Sequence, residues 1–445
     1  MDLASLALTL KQIGDLLWGW PLILFILASG LLMTIALQAI QFRYFFAAWR
    51  YLITPEAAQT SAISPLQAFL NTLSASVGNG ALTGMATAIY SGGPGAAFWV
   101  FVLGFFTMPI RFAEVFAGTQ FTVTDPKTGV RGGPMAYISL VPGGRVLVYI
   151  YVCICLAFTL ICGDAMQANA ISKGLVATVP LLNPYAIAIS LFLFLLYVLL
   201  GGAQRVLRVS DRIVPLKVGL FLLSMIIALV YHYAAIWGAL QLMVSYAFTS
   251  QAFVGGVIGY TIQDAIRFGM ARSLNATEVG LGTAGILYGA TQSKDPVRSG
   301  IMAMATSFIS NHIICFSIML LIVVSGAWES GINGPGMTIA AFSSVYGSAG
   351  SWIVTILSMM FGLGVLVAYI FIGRECWLFL VGNRSFGIYN VLFCLFALLG
   401  ALVDVALVWN SIDLMVAGLV VINLYALLVK LPAIRQAVRT YTPRE

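Results

Sequence analysis

Residues 74–84 read SASVGNGALTG, in the middle of an apolar run (64–90) long enough to cross a membrane. Gly78-Asn79-Gly80 falls roughly midway along that run. Glycine and asparagine at that depth unwind a helix, and a lipid-exposed backbone has no water to satisfy its freed N–H and C=O groups. Two readings fit the stretch. Gly80 and Gly84 have small-xxx-small spacing, which lets a neighbouring helix pack closely. Alternatively the helix is discontinuous, and its freed amides and carbonyls bind a ligand in a cavity lined by protein.

The surrounding chain has 445 residues, 61% hydrophobic and 8% charged. A soluble domain carries about a quarter charged residues, so the composition is that of a polytopic membrane protein set in a lipid bilayer. Eleven apolar runs of crossing length occur, near 18–40, 64–90, 95–123, 145–177, 184–203, 211–232, 252–290, 296–327, 350–382, 385–403 and 406–430. Shorter stretches near 234–248 and 335–346 read as surface helices outside the bilayer. The start lacks a basic n-region and a cleavage site, so the first apolar run reads as a retained helix. Six cysteines without a CxxC pair and two histidines on separate segments argue against a metal site and against a cofactor.

Nineteen of the 22 basic residues fall on alternate connections, which the positive-inside rule makes cytoplasmic. These include the groups Arg205–Lys217 and Arg267, Arg272, Lys294 and Arg298. The N-terminus is then outside and the C-terminus cytoplasmic, with 205–217 and 291–298 inside and 233–250 outside. The +7 net charge is a topology signal and requires no nucleic acid partner.

A second interrupted run follows five spans later, where Gly255, Gly256 and Gly259 precede Gln263, Asp264 and Arg267. Five helices and then five more of opposite orientation, each set opening on a broken helix, is the inverted-repeat plan of secondary transporters. The chain divides accordingly. Residues 1–63 form an extra helix and connection, 64–232 the first repeat, 233–250 an external amphipathic segment, 251–430 the second repeat and 431–445 a cytoplasmic tail.

The run LSASVGNGALTGMATAIYSGGPGAAFWVFVLGFFTMPIRFAEVFAG, followed by GGPMAYI, GDAMQAN, ARSLNATEVGLGTA and LVWNSIDL, resembles the alanine/glycine:cation symporter family of bacteria and archaea. The similarity covers nearly the whole chain from about residue 60. It implies the fold of the bacterial leucine transporter, an all-α core of two inverted five-helix repeats, here with one extra N-terminal helix. It also implies the prokaryotic cytoplasmic membrane, and import of a small neutral amino acid with a coupling cation, usually sodium.

A zwitterion needs donors for its carboxylate and acceptors for its ammonium. Backbone amides at Gly78, Asn79 and Gly80 supply the first, aided by the positive end of the following half-helix. Carbonyls near Ser76 and Val77 supply the second or bind a cation. By resemblance Gln167 is a substrate-site amide, and Tyr369 stands where the family has a tryptophan walling the pocket. An interhelical hydrogen bond and plain packing are the respective alternatives. Arg111 and Glu114, at i,i+3, can pair on one helix face. Asp164 lies one turn before Gln167 and is either locally paired or a protonatable group beside the pocket. Asp264 and Arg267 suggest a pair near the second break, in a gating or structural role. Glu278, Asp404 and Asp413 lie near span ends.

The departures from the family pattern concern the cation. Its G-T-G-N is here Gly78-Asn79-Gly80-Ala81, and its SNEAG is Ala276-Thr277-Glu278-Val279-Gly280. A Ser-Thr pair whose hydroxyls bind sodium falls at Gly364-Val365, and an Asp falls at Ser310. Sodium needs several oxygens at once. Weak or absent sodium dependence is therefore expected, with proton coupling through Asp164 or uncoupled exchange in its place. A channel needs a continuous polar lining and an enzyme a nucleophile–base or metal constellation; neither is evident. A sensor that keeps the fold without transport is the remaining alternative.

Overall fold

A computed structural model describes residues 17–54, 64–125, 129–249, 261–291, 293–382, 385–403 and 405–442, with Gly14. Gly255, Gly256, Gly259 and Asp404 lie outside these residues.

Helix starts follow from local chemistry. Helix α1 (Trp20–Ala36) opens on Pro21, whose fixed φ and missing N–H suit a first turn. After the short helices α2 (Ile40–Arg43) and α3 (Phe45–Ile53), α4 (Pro65–Ser76) begins with a reciprocal cap. Gln67 N donates to Ser64 Oγ and Ser64 N to Gln67 Oε1, both at 3.1 Å. Helix α4 stops at Val77, and the chain resumes as a wide π-type turn over Gly80–Gly84 and then α5 (Met85–Gly92).

Helix α6 (Gly95–Gln120) follows, then a small antiparallel ribbon of β1 (Val123–Asp125) and β2 (Gly129–Arg131), a departure from the all-helical expectation confined to one connection. Next come α7 (Pro134–Ser139) and α8 (Gly144–Phe158), which runs through a π-type segment, Thr159–Ala165, into α9 (Met166–Thr178). Helices α10 (Pro184–Leu200), α11 (Gly202–Tyr231) and α12 (Tyr233–Phe248) complete the first half.

Helix α13 (Ile262–Thr277) ends in a second break, after which α14 (Thr283–Gly289) is short. Helix α15 (Pro296–Phe308) passes through a π-type segment, Ile309–Cys315, into α16 (Phe316–Val324). Helices α17 (Pro335–Tyr346), α18 (Ala349–Leu380), α19 (Phe386–Gly400) and α20 (Val405–Thr440) follow.

Six stretches among the described residues are long and apolar enough to cross a membrane, and α1, α10, α12 and α19 are shorter apolar helices. The outer surface is greasy: Phe46 is 83% and Ile53 85% exposed. Such side chains suit lipid. Inside, the two broken helices cross. Helix α4 packs on α14 and α5 on α13, so first half meets second half and the two run antiparallel.

Three basic residues do not sit where the charge pattern put them. Lys217 is not in a connection: α11 is continuous from Gly202, through Pro215, and Lys217 is fully buried. Arg267 and Arg272 lie on α13, before the second break, whereas Lys294 and Arg298 follow it. Arg272 grips Asp413 of α20 with both terminal nitrogens, at 3.1 and 2.8 Å, so Asp413 is paired rather than merely solvated. Helix α17 likewise is more than a surface helix. Met337, Thr338, Ala341 and Phe342 are buried, and Thr338 Oγ1 donates to Leu82 O at 2.8 Å, on the first break's π-type turn. Of the cysteines, Cys153 is exposed and the other five are buried and free.

Glycine permits the closest crossings. A Cβ on Gly95 would meet Tyr246 O at 2.5 Å and Tyr246 C at 2.6 Å, backbone that cannot swing aside. Gly95→Ala is expected to destabilise the protein by about 1–3 kcal/mol, the range for overpacking. Thermal unfolding in detergent measures it, and an unchanged melting temperature would mean that α12 slides freely on α6.

Candidate functional site

At the first break, Ser74 and Val77 lose their helical partners where α4 ends. Their carbonyls accept instead from Lys217 Nζ, at 2.9 and 2.8 Å. Asn79 N and Asn79 Nδ2 both donate to Gln167 Oε1 at 3.2 Å, and Gln167 Nε2 donates to Cys162 O at 3.2 Å. Asn79 Nδ2 also reaches Ser358 O on α18, at 3.1 Å. Gln167 thus bridges the broken helix to the π-type segment of α8–α9. A Cβ on Gly78 would come within 2.6 Å of Val365 Cγ2, so glycine there lets the first break approach α18 closely, while Gly80 sits in ordinary contact distance of Ala276 Cα, 3.4 Å from a Cβ built on it.

The second break lies at Glu278–Gly282, where Glu278, Gly280 and Gly282 take left-handed φ of 56°, 88° and 86°. Most of its freed groups are held by side chains from the surrounding helices. Arg111 and Glu114 pair at 3.3 Å, both fully buried. Arg111 Nη2 donates to Thr277 O at 2.7 Å, and Glu114 Oε1 accepts from Gly282 N and Asn423 Nδ2, each at 2.9 Å. Asn423 Nδ2 also donates to Gly280 O at 2.9 Å, Tyr151 Oη to Leu281 O at 2.7 Å, and Tyr137 Oη to Asn423 Oδ1 at 2.5 Å.

Glu278, expected near a span end, is buried. Its Oε1 accepts from Tyr369 Oη, and its Oε2 from Thr283 Oγ1 at 3.0 Å. The Tyr369 hydroxyl is therefore committed to the second break, while its ring packs over Gly163 and near Phe158.

Asp164 faces elsewhere. It is fully buried with neither carboxyl oxygen hydrogen-bonded, it lies within electrostatic reach of Tyr389 and Cys394 of α19, and it is not among the hydrogen-bond partners of Gln167. Three-residue spacing on a regular helix would put both on one face, but Asp164 belongs to the wider π-type turn. Asp264 closes the N-terminus of α13, accepting from Thr261 Oγ1 at 2.6 Å. It stands about 21 Å from Glu278 at 1.5 Å per residue, and the Arg267 guanidinium lies over Phe268. The break expected at Gly255, Gly256 and Gly259, next to which both residues stand in the sequence, lies outside the described residues. Ser310 turns back to Thr306 O at 2.8 Å. Its neighbour Asn311 instead accepts from Ser273 Oγ of α13 at 2.7 Å and donates to Val100 O at 2.8 Å.

Where the breaks meet, two buried polar atoms have no protein partner: Asn79 Oδ1 and Asn275 Nδ2. They are linked through Gln167 and Cys162, whose Sγ lies 3.7 Å from Asn275 Oδ1. One is a free acceptor and the other a free donor. Buried polar atoms left unpaired are uncommon and point to an absent ligand or water. Asn275 escaped the sequence reading although it stands inside the ARSLNATEVGLGTA motif, one residue before the departure from SNEAG.

Two antiparallel broken helices with unpaired polar atoms at their crossing, inside an apolar bundle, define an integral membrane transporter rather than an enzyme. The whole chain says which kind: residues 3–445 match the model of the sodium:alanine symporter family, and the protein belongs to that family. An uncharacterized transporter of Haemophilus influenzae is 32% identical over 425 residues, 94% of this chain and 92% of its own. The sodium/alanine symporter AgcS of Methanococcus maripaludis is 28% identical over 443 residues, 96% and 95% of the two chains. Among solved structures, a mutant of the Eremococcus coleocola manganese transporter shares the fold, with TM-score 0.52 over 88% of this chain and 85% of that one, at 14% identity. The protein is thus a cation-coupled amino-acid symporter of the membrane.

Proposed function

We propose that the protein imports a small neutral amino acid of the alanine/glycine class by alternating access about the crossing of its two broken helices. The unpaired Asn79 Oδ1 and Asn275 Nδ2 carry this reading. A zwitterion offers an ammonium donor to the first and a carboxylate acceptor to the second, and the amides of Gly78–Gly80 add donors at the start of the π-type turn. The crowding around Gly78 and Gly163 favours a substrate with a small side chain. The antiparallel crossing supports two inverted five-helix repeats in a leucine-transporter-like arrangement, with α1 as the extra helix and α12 and α17 on the outer face. The basic residues of 43–50, 127–145, 205–212, 294–298 and the C-terminal tail still favour a cytoplasmic C-terminus and an external N-terminus.

Uptake of radiolabelled L-alanine and glycine into proteoliposomes tests the reading. Binding without uptake would favour a sensor, and neither binding nor uptake would sink it. Gln167→Ala is expected to weaken alanine binding by about 1–3 kcal/mol, because the Asn79 backbone amide loses its acceptor and the first break its brace. Calorimetry on the purified variant measures this. An unchanged dissociation constant would make Gln167 a purely structural amide.

A further inference from the structure

The structure carries the Lys217 side chain into the first break. Its Nζ sits between the Ser74 and Val77 carbonyls, at 2.9 and 2.8 Å, with Ser74 Oγ at 3.5 Å and the Phe361 ring 5.8 Å away. Ser74 Oγ itself donates to Gly364 O at 2.8 Å. A Cβ on Gly364 would stand 2.6 Å from Nζ and 3.2 Å from Cε. The amine therefore fits because position 364 has no side chain. These are also the residues where the family resemblance puts a bound sodium: carbonyls near Val77 and hydroxyls at 364 and 365.

Carbonyls at the end of a half-helix carry the negative end of its dipole and attract a cation. A free sodium ion, being a hard cation, needs several oxygens around it at once. Here the two hydroxyls are absent and both carbonyls are engaged by Nζ, so the residues present do not fit the ion. An ammonium does fit: it is a compact point charge with three donors on a flexible stem, and it ties α4, α11 and α18 together at one point as a bound ion would.

We propose that the Lys217 ammonium is the resident cation of this site, a tethered substitute for sodium, and that the protein works without sodium. The inference rests on reading the protein as an amino-acid carrier. It reassigns the ionic specificity of that carrier to one lysine paired with one glycine.

The test uses the purified full-length protein. Binding of radioactive sodium is measured on the wild type and on the triple variant Lys217→Ala/Gly364→Ser/Val365→Thr, which removes the amine and restores two hydroxyls. Uptake of L-alanine by wild-type proteoliposomes is measured with sodium or choline as the external cation. The wild type is expected to show no saturable sodium binding, and alanine uptake that changes by less than about twofold between the two cations. The triple variant is expected to gain saturable sodium binding, and a melting temperature raised by sodium but not by choline. Saturable sodium binding by the wild type, or uptake stimulated about tenfold or more by sodium, overturns the proposal. So does a folded triple variant that binds none. If the triple variant does not fold, the wild-type measurements decide alone. If the wild type transports no alanine while the binding results hold, the substrate reading fails and the lysine assignment stands.

Discussion

Glu114→Ala is expected to destabilise the folded protein by about 3–5 kcal/mol, the range for removing one partner of a buried ion pair. Arg111 would keep its charge in a fully buried position, with Thr277 O still accepting from its Nη2. The loss would spread further, because Glu114 Oε1 also receives the Gly282 amide and the Asn423 side chain. Without it, the Gly282 amide has no acceptor, Asn423 Nδ2 keeps only Gly280 O, and the left-handed turn at Gly280 and Gly282 loses its main anchor on α6. Glu114→Gln retains an acceptor for Gly282 N while losing the charge, so it should fall between Glu114→Ala and wild type. Thermal unfolding of the three proteins in one detergent gives the order. Equal melting temperatures for Glu114→Ala and wild type would mean that the pair contributes nothing to the fold.

The Arg111–Glu114 pair was legible because both residues lie on one helix, three apart. What they hold was not, since Thr277, Gly282 and Asn423 come from elements far away in the chain. The first break was legible for a similar reason: Gly78-Asn79-Gly80 contradicts its apolar surroundings within a single turn. The second break was sought among Gly255, Gly256 and Gly259, where glycines cluster, whereas the described backbone breaks at Glu278–Gly282. Two glycines and an acidic residue there resemble the end of a span as much as its interior.

Lys217 misled for a physical reason. It follows Arg205, Arg208 and Arg212 closely, with Pro215 between, and a hydropathy profile cannot tell a lysine that reaches the headgroups from one that turns inward. Its partners are backbone carbonyls, which leave no mark in a sequence. The eroded hydroxyl positions at Gly364 and Val365 were visible as an absence. The side chain that fills the space belongs to another helix, so the absence and its compensation become one observation only in three dimensions. Asp164 shows the reverse case: its apparent closeness to Gln167 assumed a regular helix through Thr159–Ala165, where the turn is wider.

Glu278 is the residue through which the second break meets the rest of the site, and its replacement should have the largest effect on transport. It adopts φ 56°, a left-handed conformation that costs a non-glycine residue roughly 1–2 kcal/mol. What offsets that strain is its pair of hydrogen bonds, from Tyr369 Oη of α18 and from Thr283 Oγ1 at the start of α14. Its carboxyl lies within electrostatic reach of Arg111, Glu114 and Lys217. Glu278→Ala would leave two buried hydroxyls unpaired, at about 1–3 kcal/mol each, without relieving the backbone. Glu278→Gln keeps an acceptor for Tyr369 and removes only the charge. The expected result is therefore a split. Glu278→Ala should lose both stability and alanine uptake, whereas Glu278→Gln should stay folded and lose uptake by at least about tenfold, since it removes a buried charge that acts on both cations of the site. Melting curves and proteoliposome uptake on the same preparations separate the two effects. Wild-type uptake by Glu278→Gln would show that only the hydrogen bonds matter, and that the second break contributes structure rather than charge to the transport cycle.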